Sequence, residues 1–217
     1  MVRVDLHLHT MWSGDATTTP DELAAAVAES GIDVLCITDH GAVAGAQRFA
    51  ATGELGCRVV VGQELKCAQG ELIGLFLSER IPFGLTPADG AQAVREQGGL
   101  VYVPHPFDEV RHCLPEPVLH ELADAGLLDA IEVFNAKVSL ASLNEKAREF
   151  AVRRALPGGA GSDAHEPSAI GAAYVEMPDF TDATTFLSSL RLGRIVGHAY
   201  DAPRTWRPRI VPSTKTT

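Results

Sequence analysis

Val4–Asp15 reads VDLHLHTMWSGD, and the alternation inside it decides the fold. A strand sends successive side chains to opposite faces, so His7 and His9 share one face of an otherwise apolar strand, with Asp15 just beyond. Two imidazoles on one face satisfy each other's hydrogen bonds only in part, but together they can grip a cation.

Working outward, the same strand-then-helix rhythm recurs. After VRVDLHL, the segment TTTPDELAAAVAES carries a helix start: Thr19 as N-cap, Pro20 in the first helical position and Glu22 completing a capping box, with Gly31 as the stop. DVLCITD is the next strand, GAVAGAQRFAAT a helix and CRVVVGQEL a third strand. CAQGELIGLFLSER has a glycine turn between two β-like runs and reads as a hairpin. The helix TPADGAQAVREQGG, strand LVYVPHP, helix EPVLHELADAGL, strand DAIEVFN and amphipathic helix SLASLNEKAREFAVRRA follow. GGAGSDAH is a short glycine-rich strand running into a loop, and DATTFLSSLRLG with RIVGHAY supplies the last helix and strand. The alternation predicts an α/β fold with a parallel sheet, and about seven such units favour a closed or nearly closed barrel over an open doubly wound sheet. Residues 1–201 are expected to form this barrel domain, and residues 202–217, rich in proline and threonine, an irregular C-terminal tail.

Composition bounds the partners. The 217 residues suit one domain, with 46% hydrophobic and 21% charged side chains. A net charge of −10 argues against a long nucleic acid or an anionic membrane as partner, because either needs a basic surface. It leaves room for a small phosphorylated substrate, since divalent ions would reverse the sign locally. Cys36, Cys57, Cys67 and Cys113 show no C-x-x-C spacing and read as free thiols in a reducing compartment. No basic and apolar leader pattern opens the chain and no apolar run approaches a membrane span, so a cytoplasmic location is expected.

Position within the rhythm is the functional signal. His7 and His9 end the first strand, Asp39 and His40 the second, Glu64 the third, His105 the strand LVYVP, and Asp163 with His165 the glycine-rich strand. In barrels of alternating strands and helices, the C-terminal strand ends form the active face. Each piece alone has a bland reading: a core histidine, a helix cap, a solvated carboxylate. Those readings would all have to select the same end of each strand by chance. Mixed imidazole and carboxylate donors without thiolate suit Zn, Mn or Fe rather than a purely structural zinc. More than four donors at one rim imply more than one ion, and a carboxylate such as Glu64 can bridge two.

With these residues in hand, the chain resembles the polymerase and histidinol phosphatase (PHP) family over about residues 2–200. The resemblance rests on DLHLHT, ITDH, GQEL, VPHPFD, IEVFN and GSDAH in that order. It implies a distorted barrel of about seven strands, a TIM-like (β/α)7 arrangement, with two to three divalent metal ions at the C-terminal rim. Carried over residue by residue, His7, His9, Glu64 and Asp163 would hold one ion. Glu64 would bridge to a second bound by His105, while Asp15, His40 and His165 would hold a third. Asp15 stands where relatives carry either His or Asp. Glu71 stands where many relatives carry a histidine that completes the second site, so it either coordinates or belongs to the hairpin surface.

The resemblance implies a metal-dependent phosphoesterase in which a metal-bridging hydroxide attacks a small phosphate monoester or nucleotide phosphate. His165 is a candidate catalytic acid. Arg111 is a candidate phosphate contact, with Lys137 beside it in that role. Asp39 is a candidate orienting group for His40 or another ligand, as Asp5 is for the first strand, and Asn135 is a candidate donor near the site. His112, His120 and His198 lack strand-end context. The rival readings are an amidohydrolase-type metal hydrolase, for which Lys66 falls on the wrong face or past the strand end, and a non-catalytic metal-binding domain. Covalent catalysis has little support, because no G-x-S-x-G elbow is present and Ser162 sits inside the ligand motif.

Overall fold

Thr19 shows how local sequence starts these elements. Its hydroxyl accepts from the Glu22 N–H at 3.4 Å, and the Glu22 carboxylate accepts from the Thr19 N–H at 2.9 Å, so the expected capping box forms. The helix it opens, α1 (Pro20–Ser30), stops at Gly31, whose φ of 66° suits glycine. The structure, a computed structural model, describes residues 1–198; the expected tail from residue 202 lies outside the described residues, as do the last residues of RIVGHAY.

The remaining helices are α2 (Ala44–Thr52), α3 (Pro87–Glu96), α4 (Glu116–Asp124), α5 (Ala141–Arg154) and α6 (Ala183–Leu190). The strands are β1 (Val2–Leu8), β2 (Val34–Ile37), β3 (Arg58–Lys66), β4 (Glu71–Leu75), β5 (Leu100–Val103), β6 (Ala130–Asn135), β7 (Gly158–Gly161), β8 (Ala173–Met177) and β9 (Arg194–Gly197). They form one sheet in the order β7-β6-β5-β4-β3-β2-β1-β8-β9.

The sheet is mixed rather than wholly parallel. β4 and β8 run antiparallel to both neighbours, while the other strands point one way. β4 reverses because Gly70, at φ 83°, turns the chain straight back from β3 without a crossover helix. β8 adds to the expected set of strands: Ala173, Val175 and Met177 are buried while Tyr174 and Glu176 are half-buried, a period-two pattern only five residues long.

The sheet curls until its β7 edge meets β1. Leu8 at the end of β1 bridges Ala164 just past β7, with the His9 N–H donating to the Ala164 carbonyl at 2.9 Å and the Asp163 N–H to the His7 carbonyl at 2.7 Å. This approach explains the glycine-rich β7. A Cβ at Gly159 would lie 2.7 Å from the Tyr102 hydroxyl and 2.8 Å from a Leu6 methyl, side chains that fill the barrel interior. Leu8, Leu23, Leu35 and Phe49 pack α1 and α2 outside β1 and β2, and Val94, Leu119, Val133 and Phe150 pack α3, α4 and α5 against the other half. Each such fully buried large apolar side chain contributes about 1.5–3 kcal/mol. The nearly closed α/β barrel expected from the sequence is the one that forms.

Candidate metal centre

Alternation along β1 sends His7 and His9 to the interior at its C-terminal rim, where both are buried. β3 delivers Glu64 to the same rim, and the short β2 hands over to His40, which bridges Glu64 in a parallel register. β4 runs the other way, so its first residue, Glu71, lies where neighbouring strands end. The ladder pairs Glu64 with Ile73, two residues from Glu71, which puts Glu64 and Glu71 on one face. His105 follows β5, and Asp163 and His165 follow β7. Two of these residues carry unusual backbone angles: His105 has φ 28° and Asp163 φ 51°, a region L-residues enter at a cost of about 1–3 kcal/mol.

Glu64 is the hub. Its Oε2 lies 3.1 Å from His9 Nε2, 3.3 Å from His7 Nε2 and 3.5 Å from His40 Nδ1, and its Oε1 lies 3.1 Å from His105 Nε2. Asp163 Oδ1 lies 3.6 Å from His9 Nε2 and 3.8 Å from His7 Nε2. On the outer side, Asp15 Oδ2 is 3.3 Å from His40 Nε2 and 3.6 Å from His165 Nε2. Glu71 is buried, 3.9 Å from both His40 Nδ1 and His105 Nε2, so it faces the cluster and is not a surface residue of the hairpin. All nine residues expected as ligands therefore converge.

A supporting layer fixes the rings, and part of it was not anticipated. Glu132, buried in the middle of β6, sits 3.3 Å from His7 Nδ1 and accepts from the His105 N–H at 2.6 Å and from Asn135 Nδ2 at 2.9 Å. The available signal was a carboxylate inside the apolar strand AIEVFN. Ser13 Oγ lies 2.9 Å from His9 Nδ1 and accepts from the His40 N–H at 3.0 Å. Asn135 also donates to Asp163 Oδ2 at 3.2 Å. Asp5 accepts from the N–H groups of Ser162 and Gly171, which clamps β1 to the chain after β7.

Asp39 acts beside His9 rather than on His40. Both its oxygens accept from Thr10, one from the N–H and one from the hydroxyl, each at 2.6 Å, so it anchors the chain after His9 and makes no hydrogen bond to His40. Arg111 pairs with Asp163 Oδ2, and Lys137 Nζ lies 2.7 Å from His165 Nδ1 and 3.9 Å from Asp163 Oδ1, so both cations reach the site. His112 is exposed, as is His198, and His120 packs on Phe150 beside Arg154. Lys66, expected on the wrong face or past the strand end, is instead the last residue of β3, two positions from Glu64 on the same face, and is exposed.

Burial and crowded charge push these groups apart. Burial raises the Asp163 carboxyl, but Arg111, His7 and Lys137 outweigh it and hold Asp163 well below the usual range. Burial lowers His7, yet the charges of Asp163, Glu64 and Glu132 carry it well above an ordinary imidazole. His9 goes the other way, lowered by burial and by His165. Glu71 is pushed up to about 7, by burial first and then by the Glu64 charge.

The donor set fits divalent ions. Asp15 Oδ1, His40 Nδ1, His105 Nδ1 and Asp163 Oδ1 are buried without a hydrogen-bond partner, and His7 Nε2 faces His9 Nε2 at 3.1 Å, where at most one hydrogen can sit between them. Groups able to close on one ion are His7–His9–Glu64, His7–His105–Asp163, Glu64–Glu71–His105 and His9–Asp15–His40–His165. Ligand bonds of about 2.0–2.2 Å give donor–donor edges of roughly 3.0–3.6 Å, the spacing seen around Glu64.

Fold and site together define an α/β barrel with a candidate polynuclear metal centre on its C-terminal rim. The chain belongs to the PHP domain family: the PHP domain profile matches residues 5–147, and a PHP-associated profile, PHP_C, matches residues 141–195. Among similar proteins are two uncharacterized proteins of Methanocaldococcus jannaschii. One is 36% identical over 146 residues, covering 62% of this chain and 82% of the relative. The other is 34% identical over 200 residues, covering 88% and 80%. Among solved structures, a two-domain Bacteroides vulgatus protein containing a predicted PHP-like metal-dependent phosphoesterase matches with a TM-score of 0.73 at 17% identity, over 91% of this chain and 65% of that one. An amidohydrolase from Chromobacterium violaceum, with bound sulfate and no metal, matches with a TM-score of 0.66 at 16% identity, over 89% and 97%. Among the described residues, no helix is long and apolar enough to cross a membrane.

Proposed function

We propose that this protein is a metal-dependent phosphoesterase acting on a small phosphate monoester or nucleotide phosphate. The observation that carries the reading is the pairing of a dense donor cluster with two cations at its edge: Arg111 and Lys137 both approach Asp163. Carboxylates and imidazoles alone would serve many metal hydrolases, but cations beside them suit a substrate that brings several negative oxygens.

His7, His9, Glu64 and Asp163 would hold one ion, Glu64, Glu71 and His105 a second, and Asp15, His40 and His165 a third. When bound, such ions supply Lewis-acid activation of water and neutralise phosphoryl charge. The chain's own part is positioning. Arg111 exchanges its hold on Asp163 for a phosphoryl oxygen, since a guanidinium recognises planar pairs of oxygens in either partner. Lys137 Nζ donates to His165 Nδ1 at 2.7 Å, which turns His165 Nε2 toward the cluster and keeps the ammonium beside the donors, where a phosphoryl oxygen would meet it. Leu6, Ile73 and Tyr102, buried in the barrel interior, keep bulk water from one side of the cluster.

An amidohydrolase reading is disfavoured because the group standing among the ring nitrogens, where that reading wants a modified lysine, is the carboxylate of Glu64, and Lys66, the lysine nearest in sequence, is exposed. The deciding assay is metal-reconstituted protein against parallel panels of phosphate monoesters, nucleotide phosphates, amides and lactones. Turnover confined to the phosphoesters supports the proposal, and turnover confined to the amides or lactones refutes it. A protein that binds ions but turns over neither is the metal-binding domain of the third reading. The net charge of −10 supports a small substrate over long nucleic acid.

A further inference from the structure

The donors around Glu64 divide by chemistry. His9, Asp15, His40 and His165 form a group of three imidazoles and one carboxylate, while Glu64, Glu71 and His105 form a group of two carboxylates and one imidazole. Glu71 makes the difference. It is only 5% exposed, its carboxylate makes no hydrogen bond among the described residues, and its nearest ring nitrogens stand 3.9 Å away, beyond hydrogen-bond reach. A carboxylate buried without donors costs free energy unless a cation meets it. Lys66, its ladder partner, is exposed and leaves that role open.

Imidazole suits zinc and iron, whereas carboxylate and water suit manganese and magnesium. We propose that the centre is chemically graded: the Glu64–Glu71–His105 pocket discriminates least against a hard, oxygen-preferring ion such as Mn²⁺, the Asp15–His40–His165 pocket, with the His9 ring beside it, favours a borderline ion such as Zn²⁺ most strongly, and Glu71 sets that difference. The proposal rests on the metal-binding part of the function above, not on the reaction. Zinc binds more tightly than manganese at nearly any site of this kind, so the signature is a contrast between pockets and not an absolute preference.

The test uses the full chain, stripped of metal, loaded with Mn²⁺ and titrated with Zn²⁺ while released Mn²⁺ is counted by electron paramagnetic resonance. Release in separate phases is expected, with one Mn²⁺ per chain leaving last. Glu71→His should move that last phase to zinc concentrations about tenfold lower or more. Glu71→Gln should reduce bound Mn²⁺ by one per chain. Single-phase release from the wild type overturns the grading, and so does a last phase that Glu71→His leaves in place. The wild-type curve is decisive by itself if a variant fails to fold. A protein that releases Mn²⁺ in phases yet hydrolyses no phosphoester upholds the grading and overturns only the phosphoesterase reading.

Discussion

The backbone N–H of His105 donates to Glu132 Oε2 at 2.6 Å, and it is this carboxylate that secures His105 at its φ of 28°. The same carboxylate stands 3.3 Å from His7 Nδ1 and takes a hydrogen bond from Asn135. One buried side chain from β6 therefore orients donors that arrive on β1 and after β5, and holds a strained backbone in place.

Glu132→Gln tests that dependence. A glutamine has one acceptor oxygen and turns two N–H donors toward groups that themselves donate. Ion affinity should fall about 10–100-fold, as when other groups that orient metal ligands are removed, and stability by about 1–3 kcal/mol. Calorimetric titration with Mn²⁺ or Zn²⁺ and thermal melting measure the two. Unchanged affinity would show that the rings are set without Glu132.

Gly161→Ala probes barrel closure at the site. A Cβ there would collide with His7 Cβ and lie 2.6 Å from Glu132 Oε1, both inside the layer that orients the donors. Overpacking of this sort costs about 1–3 kcal/mol. The variant should melt earlier and bind ions more weakly, whereas Gly53→Ala, in open space but at φ 65°, should melt earlier without losing ion affinity.

Arg111→Ala should lower kcat/KM on a phosphate monoester by about 100-fold, the scale seen when one donor to a developing oxyanion is lost. Arg111→Lys should recover only part of this, because lysine keeps the charge but not the planar fork. If Arg111 serves only to balance Asp163, the lysine variant will match the wild type.

Glu71 gives metal binding a pH dependence. Its carboxyl, ordinarily near 4.5, is raised to about 7 by burial and then by the Glu64 charge. Between those values the folded metal-free protein holds a proton that the unfolded chain has released. The group therefore favours the fold less as pH rises from 4.5 to 7, and its full cost is present above 7. An ion needs the carboxylate, so binding at pH 6 expels that proton and affinity climbs as pH approaches 7. Calorimetry in two buffers of different ionisation enthalpy should count about one proton more for the wild type than for Glu71→Gln.

Chelation should lower the melting temperature. Buried oxygens such as Asp15 Oδ1 and Asp163 Oδ1 lack partners, so each ion present at a hundred times its Kd would add about 2.7 kcal/mol of stability. Melting in chelator, then after adding back Mn²⁺ or Zn²⁺, measures the shift; equal melting temperatures would mean the cluster holds no ion in solution.

Sequence alone determined the strand-and-helix rhythm, the Thr19–Glu22 cap and the placing of His7, His9, His40, Glu64, His105 and Asp163 at strand ends. Those features rest on contacts only a few residues long and on the two-residue period of a strand, both printed directly in residue order. Tertiary structure decided the rest: the reversed β4 that brings Glu71 to the rim, the partner of Asp39, and the reach of Glu132, Arg111 and Lys137. Each of these depends on which strand lies beside which once the sheet curls and β1 meets the chain after β7. The physical reason is that a carboxylate such as Glu132 has its energy set by donors distant in sequence, His7 and His105, and no local pattern encodes their approach.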